Sequence, residues 1–449
     1  MSETVSTHRR SFMITVIAAG AVAVLGLCVA LAGAIVVQSY LRENAGWATV
    51  SVVSSLVAFG IAAWAALIST GGMIALHRDA LESAGRPYAP SRPRESTSGR
   101  FLGPLLSRLR FGQSDHDLGL RAGETVEIKS LDEIRATLDA AGTLHGLPFM
   151  PEMAAYCGQT ATVFRRVDKI HDWLGRTGLR RVRTTVQLNG LRCDGSMHGG
   201  CQAECHLRWQ EAWLRRSGAR KRSGTVGIPD RGAIETLVQL SRRVADDGTM
   251  RYVCQSTELN KGTEPIGWAN PGTYLRDLAT GNVRLGPWLT GISIVCFNWV
   301  QRKRGGIAFP YFVPTSSKTS PSAYLGLQPG ELVRVKSKAR IEETLNVKGR
   351  NRGLWFDQET LEFCGGEFRV IKLVSRAMTE STGVVREFGA PCVILEGVVA
   401  NGEYRAFNPE NDYIFWREIW LERVNPALGA DEQQSVERAE RISPANVPG

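Results

Sequence analysis

From Cys193 to His206 the chain reads Cys-Asp-Gly-Ser-Met-His-Gly-Gly-Cys-Gln-Ala-Glu-Cys-His. Three cysteines (Cys193, Cys201, Cys205) and two histidines (His198, His206) thus fall within fourteen residues. Thiolates and imidazoles are the donors that tetrahedral zinc takes, and a reduced thiol cluster is more often a metal site than anything else. Gly195, Gly199 and Gly200 allow the backbone to wrap a small centre. The x7 then x3 spacing departs from paired C-x2-C knuckles, and three cysteines leave a fourth ligand to be found. Cys254, in Arg-Tyr-Val-Cys-Gln-Ser-Thr-Glu, is the first choice, so the expected set is Cys193, Cys201, Cys205 and Cys254. His198 is the alternative fourth ligand. Zinc is the expected cofactor; an iron–sulfur cluster is its rival.

An internal duplication filters these candidates. Gly123 to Arg216 aligns without a gap on Gly330 to Arg423, an offset of 207 positions (330 minus 123), with 26 identities. Cys157-Gly158 recurs as Cys364-Gly365, Glu152 as Glu359, and Trp209-x-Glu-x-Trp213-Leu as Trp416-x-Glu-x-Trp420-Leu. Cys193, Cys201 and Cys205 instead face Ala400, Asn408 and Asp412. What both copies keep is expected to serve the fold. Cys157 and Cys364 are read as buried structural thiols and Glu152 and Glu359 as caps or salt-bridge partners. The tryptophan pairs are read as core residues sharing one face of a helix. His145 and His171, unmatched in the second copy, are expected at the surface. Asp168, His171 and Asp172 lack an accompanying nucleophile signature, and no phosphate-binding glycine loop, Ser elbow or HExxH motif occurs.

Cys193 to His198 resembles the Cys-Asp-Gly-x-His tail of the CDGSH iron–sulfur proteins, with one extra residue before the histidine and no upstream Cys-x-Cys. The opening Pro-Gly-Glu-x-Val-x-Val-Lys of the second copy resembles the SH3-like barrels of KOW-type modules and the nitrile hydratase β subunit. The chain as a whole resembles an uncharacterised bacterial membrane-anchored family in which the cysteine run and the Trp-x-Glu-x-Trp-Leu ending recur. That resemblance implies duplicated SH3-like domains and no particular reaction.

The elements that must carry the cluster follow from patterning. No charged residue occurs from Ser11 to Leu41 or from Ala45 to Leu76, and each stretch exceeds the roughly 20 residues that cross a bilayer. A transmembrane hairpin over 1–78 is expected, with spans at about 12–40 and 47–76. Arginines crowd both outer flanks while the intervening loop holds only Arg42 and Glu43, so both termini and the body are expected to be cytoplasmic, on a bacterial inner membrane. Such a compartment keeps the nine cysteines reduced or metal-bound.

The net charge of +10 is explained by juxtamembrane attraction to anionic lipid, without nucleic acid. A basic linker over 79–118 leads to the first copy (119–216), a mixed insert (217–327), the second copy (328–424) and a tail (425–449). The fold class is α+β: a helical hairpin followed by two mostly-β SH3-like units of about five strands. In the insert, Ala233 to Val244 reads as helix, Met250 to Gln255 as strand, and Gly286 to Val300 as an apolar stretch too short for a third span. The expected role is membrane-anchored binding or scaffolding with a structural metal and an unidentified protein partner. A redox or ligand-modifying enzyme using the cluster is the alternative, an RNA-binding tether the second. Oligomeric state is left open.

Overall fold

The computed structural model describes residues 60–78, 118–172, 178–217, 231–267, 271–306, 308–310, 319–402, 407–408 and 410–424. The first expected span (about 12–40), most of the basic linker, the basic loop beyond Ser217 and the tail lie outside the described residues.

The duplication is visible in every layer of the structure. In the first copy an antiparallel five-stranded sheet runs, in spatial order, His206–Gln210, Thr185–Arg192, Thr160–Arg166, Thr125–Ile128, Leu214–Arg216. In the second the order is Tyr413–Trp416, Val384–Val399, Glu367–Thr379, Leu332–Val335, Leu421–Arg423. Registers repeat at the same offset: Val126 pairs with Arg216 as Val333 does with Arg423, and Val186 with Trp209 as Val393 does with Trp416. The structure is mixed α and β, mostly sheet, and includes a half-barrel. The first strand of each copy alternates inward Val126 and Ile128, or Val333 and Val335, with outward charges, the period that a half-buried strand requires.

The tryptophans close each core, but not from one helix. Trp209 and Trp416 end strands, and Trp213 and Trp420 sit in the 3-10 turns Glu211–Trp213 and Glu418–Trp420 that follow. All four are fully buried. Trp213 Nε1 donates to Thr137 Oγ1 (3.1 Å) and Trp420 Nε1 to Thr344 Oγ1 (2.9 Å), which satisfies the one polar atom each ring carries inward. Glu211 and Glu418 hold the entering strand segment by accepting from the backbone at Leu120 and Leu327.

The copies differ in one hairpin. In the second, Glu367–Thr379 and Val384–Val399 form one long antiparallel ladder, turning at Gly383 in the left-handed region (φ 70°). In the first, the outer half breaks away as Lys169–Asp172 paired with Gly178–Val182, and the latter also pairs with Thr263–Pro265 of the insert.

The insert supplies three further pieces. Arg231–Leu240 is helical, but Arg242–Val244 then pairs with Met250–Tyr252, because Asp247 and left-handed Gly248 form a tight turn; the expected helix through Val244 therefore ends early. Leu285–Lys303 is a 19-residue helix. It packs on Gly60–Arg78, the helix among the described residues that is long and apolar enough to cross a membrane.

Candidate metal centre

The cysteine loop leaves strand Thr185–Arg192 at Cys193 and returns at His206. Its base is closed by Cys193 N donating to Cys205 O (2.9 Å). Within it, His198 N and Gly200 N both donate to Gly195 O (3.3 and 3.0 Å). Gly195 has φ 70°, and a Cβ there would lie 1.9 Å from Cys201 O, so only glycine lets the two limbs of the loop touch.

The fold turns His198 inward, where it is 3 % exposed. Its Nδ1 lies 2.5 Å from Glu152 Oε1, and its Nε2 lies 3.6 Å from Cys193 Sγ. The same imidazole hydrogen bonds to Cys201. Glu152 stands in the first turn of the 3-10 helix Pro151–Tyr156, and its Oε1 also accepts from Met197 N (3.0 Å). Its buried Oε2 has no hydrogen-bond partner. Donor atoms of Glu152, Cys193 and His198 all lie within 4.8 Å of one another, a buried group that could hold a metal ion.

A cavity of about 50 Å³ opens beside this group, enough for an ion with one or two waters. Cys193, His198, Cys201, Cys205 and Cys254 all line it. The structure thus brings every expected ligand to one place, from two separate segments of chain. Cys254 arrives two residues after Met250–Tyr252 closes, with its N–H held by Thr257 Oγ1 (2.9 Å). The charges that act on Cys205 include Asp412, Cys254 and Cys201, and His198 acts on Cys254.

The electrostatics separate the thiols. Burial pushes the Cys193, Cys205 and Cys254 thiols up. At Cys201 burial acts in the same direction, but His198 and the N–H groups of Ala203 and Met378 outweigh it and hold the thiol below its ordinary value. Burial opposes the charge on His198, yet the hydrogen bonds it donates to Cys193, Cys201 and Glu152 prevail and raise its pKa. The chamber favours a positive charge at His198 beside the lowered thiol of Cys201, the condition that a metal cation would also meet.

Other candidates resolve into the fold. His206 donates from Nε2 to Leu188 O (2.7 Å), and Asn411 Nδ2 approaches its Nδ1 (2.9 Å); burial drives its pKa down to about 3. Cys157 packs against the first core, its thiol pushed up to about 12 by burial, and Cys364 is part of the second core. Asp168 pairs with Arg166 (2.9 Å) and Arg276 (3.3 Å). His145 is exposed at the surface, as expected, whereas His171 is half-buried.

Two residues that the sequence reading left out stand at the site. Glu152 was assigned to the fold because Glu359 matches it, and both do organise the equivalent loop: Glu359 accepts from Gly402 N (3.3 Å). Only in the first copy does the loop place His198 on that carboxylate, so one buried acid serves fold and site together. Met378, in the second copy, packs its Sδ 3.6 Å from Cys254 Sγ, and its N–H donates to Cys201 Sγ (3.3 Å). Nothing local in the sequence links Met378 to the cluster. Comparison with protein-family models, curated proteins and solved structures finds no match.

Proposed function

We propose that Cys193, His198, Cys201 and Cys254 hold a structural zinc ion in a membrane-anchored binding or scaffold protein whose body lies on the cytoplasmic side. The observation that carries this reading is the buried imidazole of His198, with a carboxylate on Nδ1 and cysteine sulfurs around Nε2. A carboxylate on the far ring nitrogen fixes the tautomer and leaves Nε2 for the metal, the arrangement in which ligating histidines are ordinarily oriented. Three thiolates and one imidazole match the tetrahedral sets of closed zinc sites. Cys205, which is half-buried, is the cysteine left outside this set. A polar, glycine-rich loop buries little apolar surface, and metal binding would supply the ordering energy that such a loop lacks.

The test is metal analysis of the full chain purified anaerobically, followed by replacement with cobalt. One zinc per chain is expected, and the cobalt form should show the intense visible bands and thiolate charge-transfer absorption of a tetrahedral thiolate-rich site. A brown protein containing iron and sulfide would replace zinc by a cluster. Metal-free protein with full thermal stability would end the metal reading.

A second reading rests on the same geometry. A thiol beside Nε2 and an acid on Nδ1 also form a nucleophile, base and orienting group. Cys193 is only 6 % exposed, which disfavours attack on a substrate. Rapid alkylation of Cys193 by iodoacetamide in zinc-replete protein would favour this enzyme reading.

A further inference from the structure

The site lies where three parts of the chain meet. The first copy contributes Cys193, His198 and Cys201, the insert contributes Cys254, and the second copy lays its long hairpin across them. Contacts from that hairpin run along the whole returning limb of the cysteine loop. Lys372 Nζ pairs with Glu204 Oε1 (2.6 Å), Ser375 N and Arg376 N donate to Gln202 Oε1 (2.7 and 3.2 Å), and Gln202 N donates to Arg376 O (3.2 Å). At the tip, Tyr252 N donates to Gly383 O (2.7 Å). There is no slack at this junction. A Cβ on Gly383 would lie 2.6 Å from Tyr252 O, and one on Gly199 would lie 2.8 Å from the Tyr252 ring and 2.9 Å from Val385.

The duplication supplies an internal comparison. Met378 and His171 are equivalent positions at the 207 offset, as are Cys201 and Asn408. Met378 N donates to Cys201 Sγ, and His171 N donates to Asn408 Oδ1, each at 3.3 Å. Each copy's hairpin therefore lends the same N–H to the same place on the other copy's loop. Such reciprocity is the signature of an isologous, two-fold contact, here within one chain. Of the two equivalent junctions, one is tied by an amide side chain. The other is tied by a cysteine of the candidate metal centre.

We infer that metal loading at this centre is the clasp between the two copies: zinc fixes the cysteine loop and Cys254 against the long hairpin of the second copy, and its removal frees the junction on that side alone. This inference rests on the zinc reading proposed above. The metal acts by mass action, because a cation bound only when loop and insert are in register stabilises the docked arrangement. The hairpin itself offers backbone N–H groups and a thioether, which orient the sulfurs without completing the coordination sphere.

Hydrogen exchange on the full chain in detergent, before and after zinc is withdrawn by a chelator and then restored with zinc alone, tests the clasp. Metal analysis is made on the same samples. Amides at 250–254 and 376–385 should exchange at least about tenfold faster in the zinc-free protein and recover on zinc addition. Those at 332–335 and 421–423, inside the second sheet, should not change. Q202A and K372A, which leave all proposed ligands in place, should retain one zinc per chain yet show the faster exchange at 376–385. Zinc bound and removed with no change at 376–385 would overturn the clasp while leaving the zinc site intact. A chain that binds no zinc would instead overturn the reading on which the clasp depends.

Discussion

Glu152 shows how one side chain decides whether a loop can hold a cation. Its carboxylate reaches the same backbone region in both copies, but only the first offers it an imidazole. Replacing it by glutamine keeps the shape and a hydrogen-bond acceptor for Nδ1–H while removing the charge that strengthens the imidazole as a donor. E152Q should bind zinc about 10- to 100-fold more weakly without unfolding, the usual cost of losing an orienting carboxylate; competition against a chromogenic chelator measures it. Wild-type affinity in E152Q would remove Glu152 from the site. His206, which opens the strand His206–Gln210, is read by pH instead. Burial holds its pKa at about 3, below the ordinary 6.5, so it is buried neutral. Its contribution is complete above the unfolded pKa and is lost as pH falls from about 6.5 towards 3. H206Q keeps an amide donor for Leu188 O and cannot titrate. The difference in melting temperature between wild type and H206Q should therefore shrink steadily from pH 7 to pH 5; a constant difference would show that burial does not hold His206 neutral.

At the scale of elements, the equivalent loops of the two copies share a backbone solution and differ in what fills it. Gly195 and Gly402 both have positive φ, and a Cβ on either would come 1.9 Å from the carbonyl of Cys201 or Asn408. G195A should therefore abolish stoichiometric zinc binding. G402A should lower thermal stability and leave zinc at one per chain, because its clash lies in the loop without cysteines. Equal zinc loss in both variants would contradict the division of labour. Much of this was legible in the chain. Twenty-six identities at one offset locate the paired sheets because glycines, tryptophans and inward valines are what a shared fold must keep. The cysteines stood out because one copy lacks them. What escaped were features set by tertiary contact. Trp209 and Trp213 have helical spacing yet sit on a strand end and a 3-10 turn, since spacing of four is compatible with either once the core takes both rings. Arg242 to Val244 continues a helical pattern but turns into a hairpin under the local dictate of Asp247 and Gly248. Met378 could be placed at the cysteines only by knowing that the long hairpin crosses to the other copy.

At the scale of the whole molecule, the insert is the mechanical link between the body and the helix Gly60–Arg78. Ala62, Ala65, Ile68 and Ala75 of that helix are buried, at intervals of three to seven that mark one face, and Ile294 and Phe297 of Leu285–Lys303 belong to the same apolar cluster. Ile61 and Met73 of the same helix stay more than half exposed (51 % and 55 %), apolar surface of the kind that suits lipid rather than water. The two helices meet most closely at Gly71, where a Cβ would lie 2.1 Å from Ser293 O, the small-residue approach by which apolar helices pack. Leu285–Lys303 in turn touches the second copy through Gly291, against whose Cα the ring of Phe407 lies. A side chain at position 71 must therefore push the helices apart without altering the apolar length of Gly60–Arg78. Both wild type and G71L are expected to stay in the membrane fraction under alkaline carbonate extraction. G71L should also lose several degrees of thermal stability and become more readily cleaved by protease in the chain that follows Lys303, because that helix is no longer held on both sides. Release of wild-type protein by carbonate would refute the membrane anchor itself, whereas G71L with wild-type stability and protease resistance would show that the anchor and the body are not coupled through this crossing.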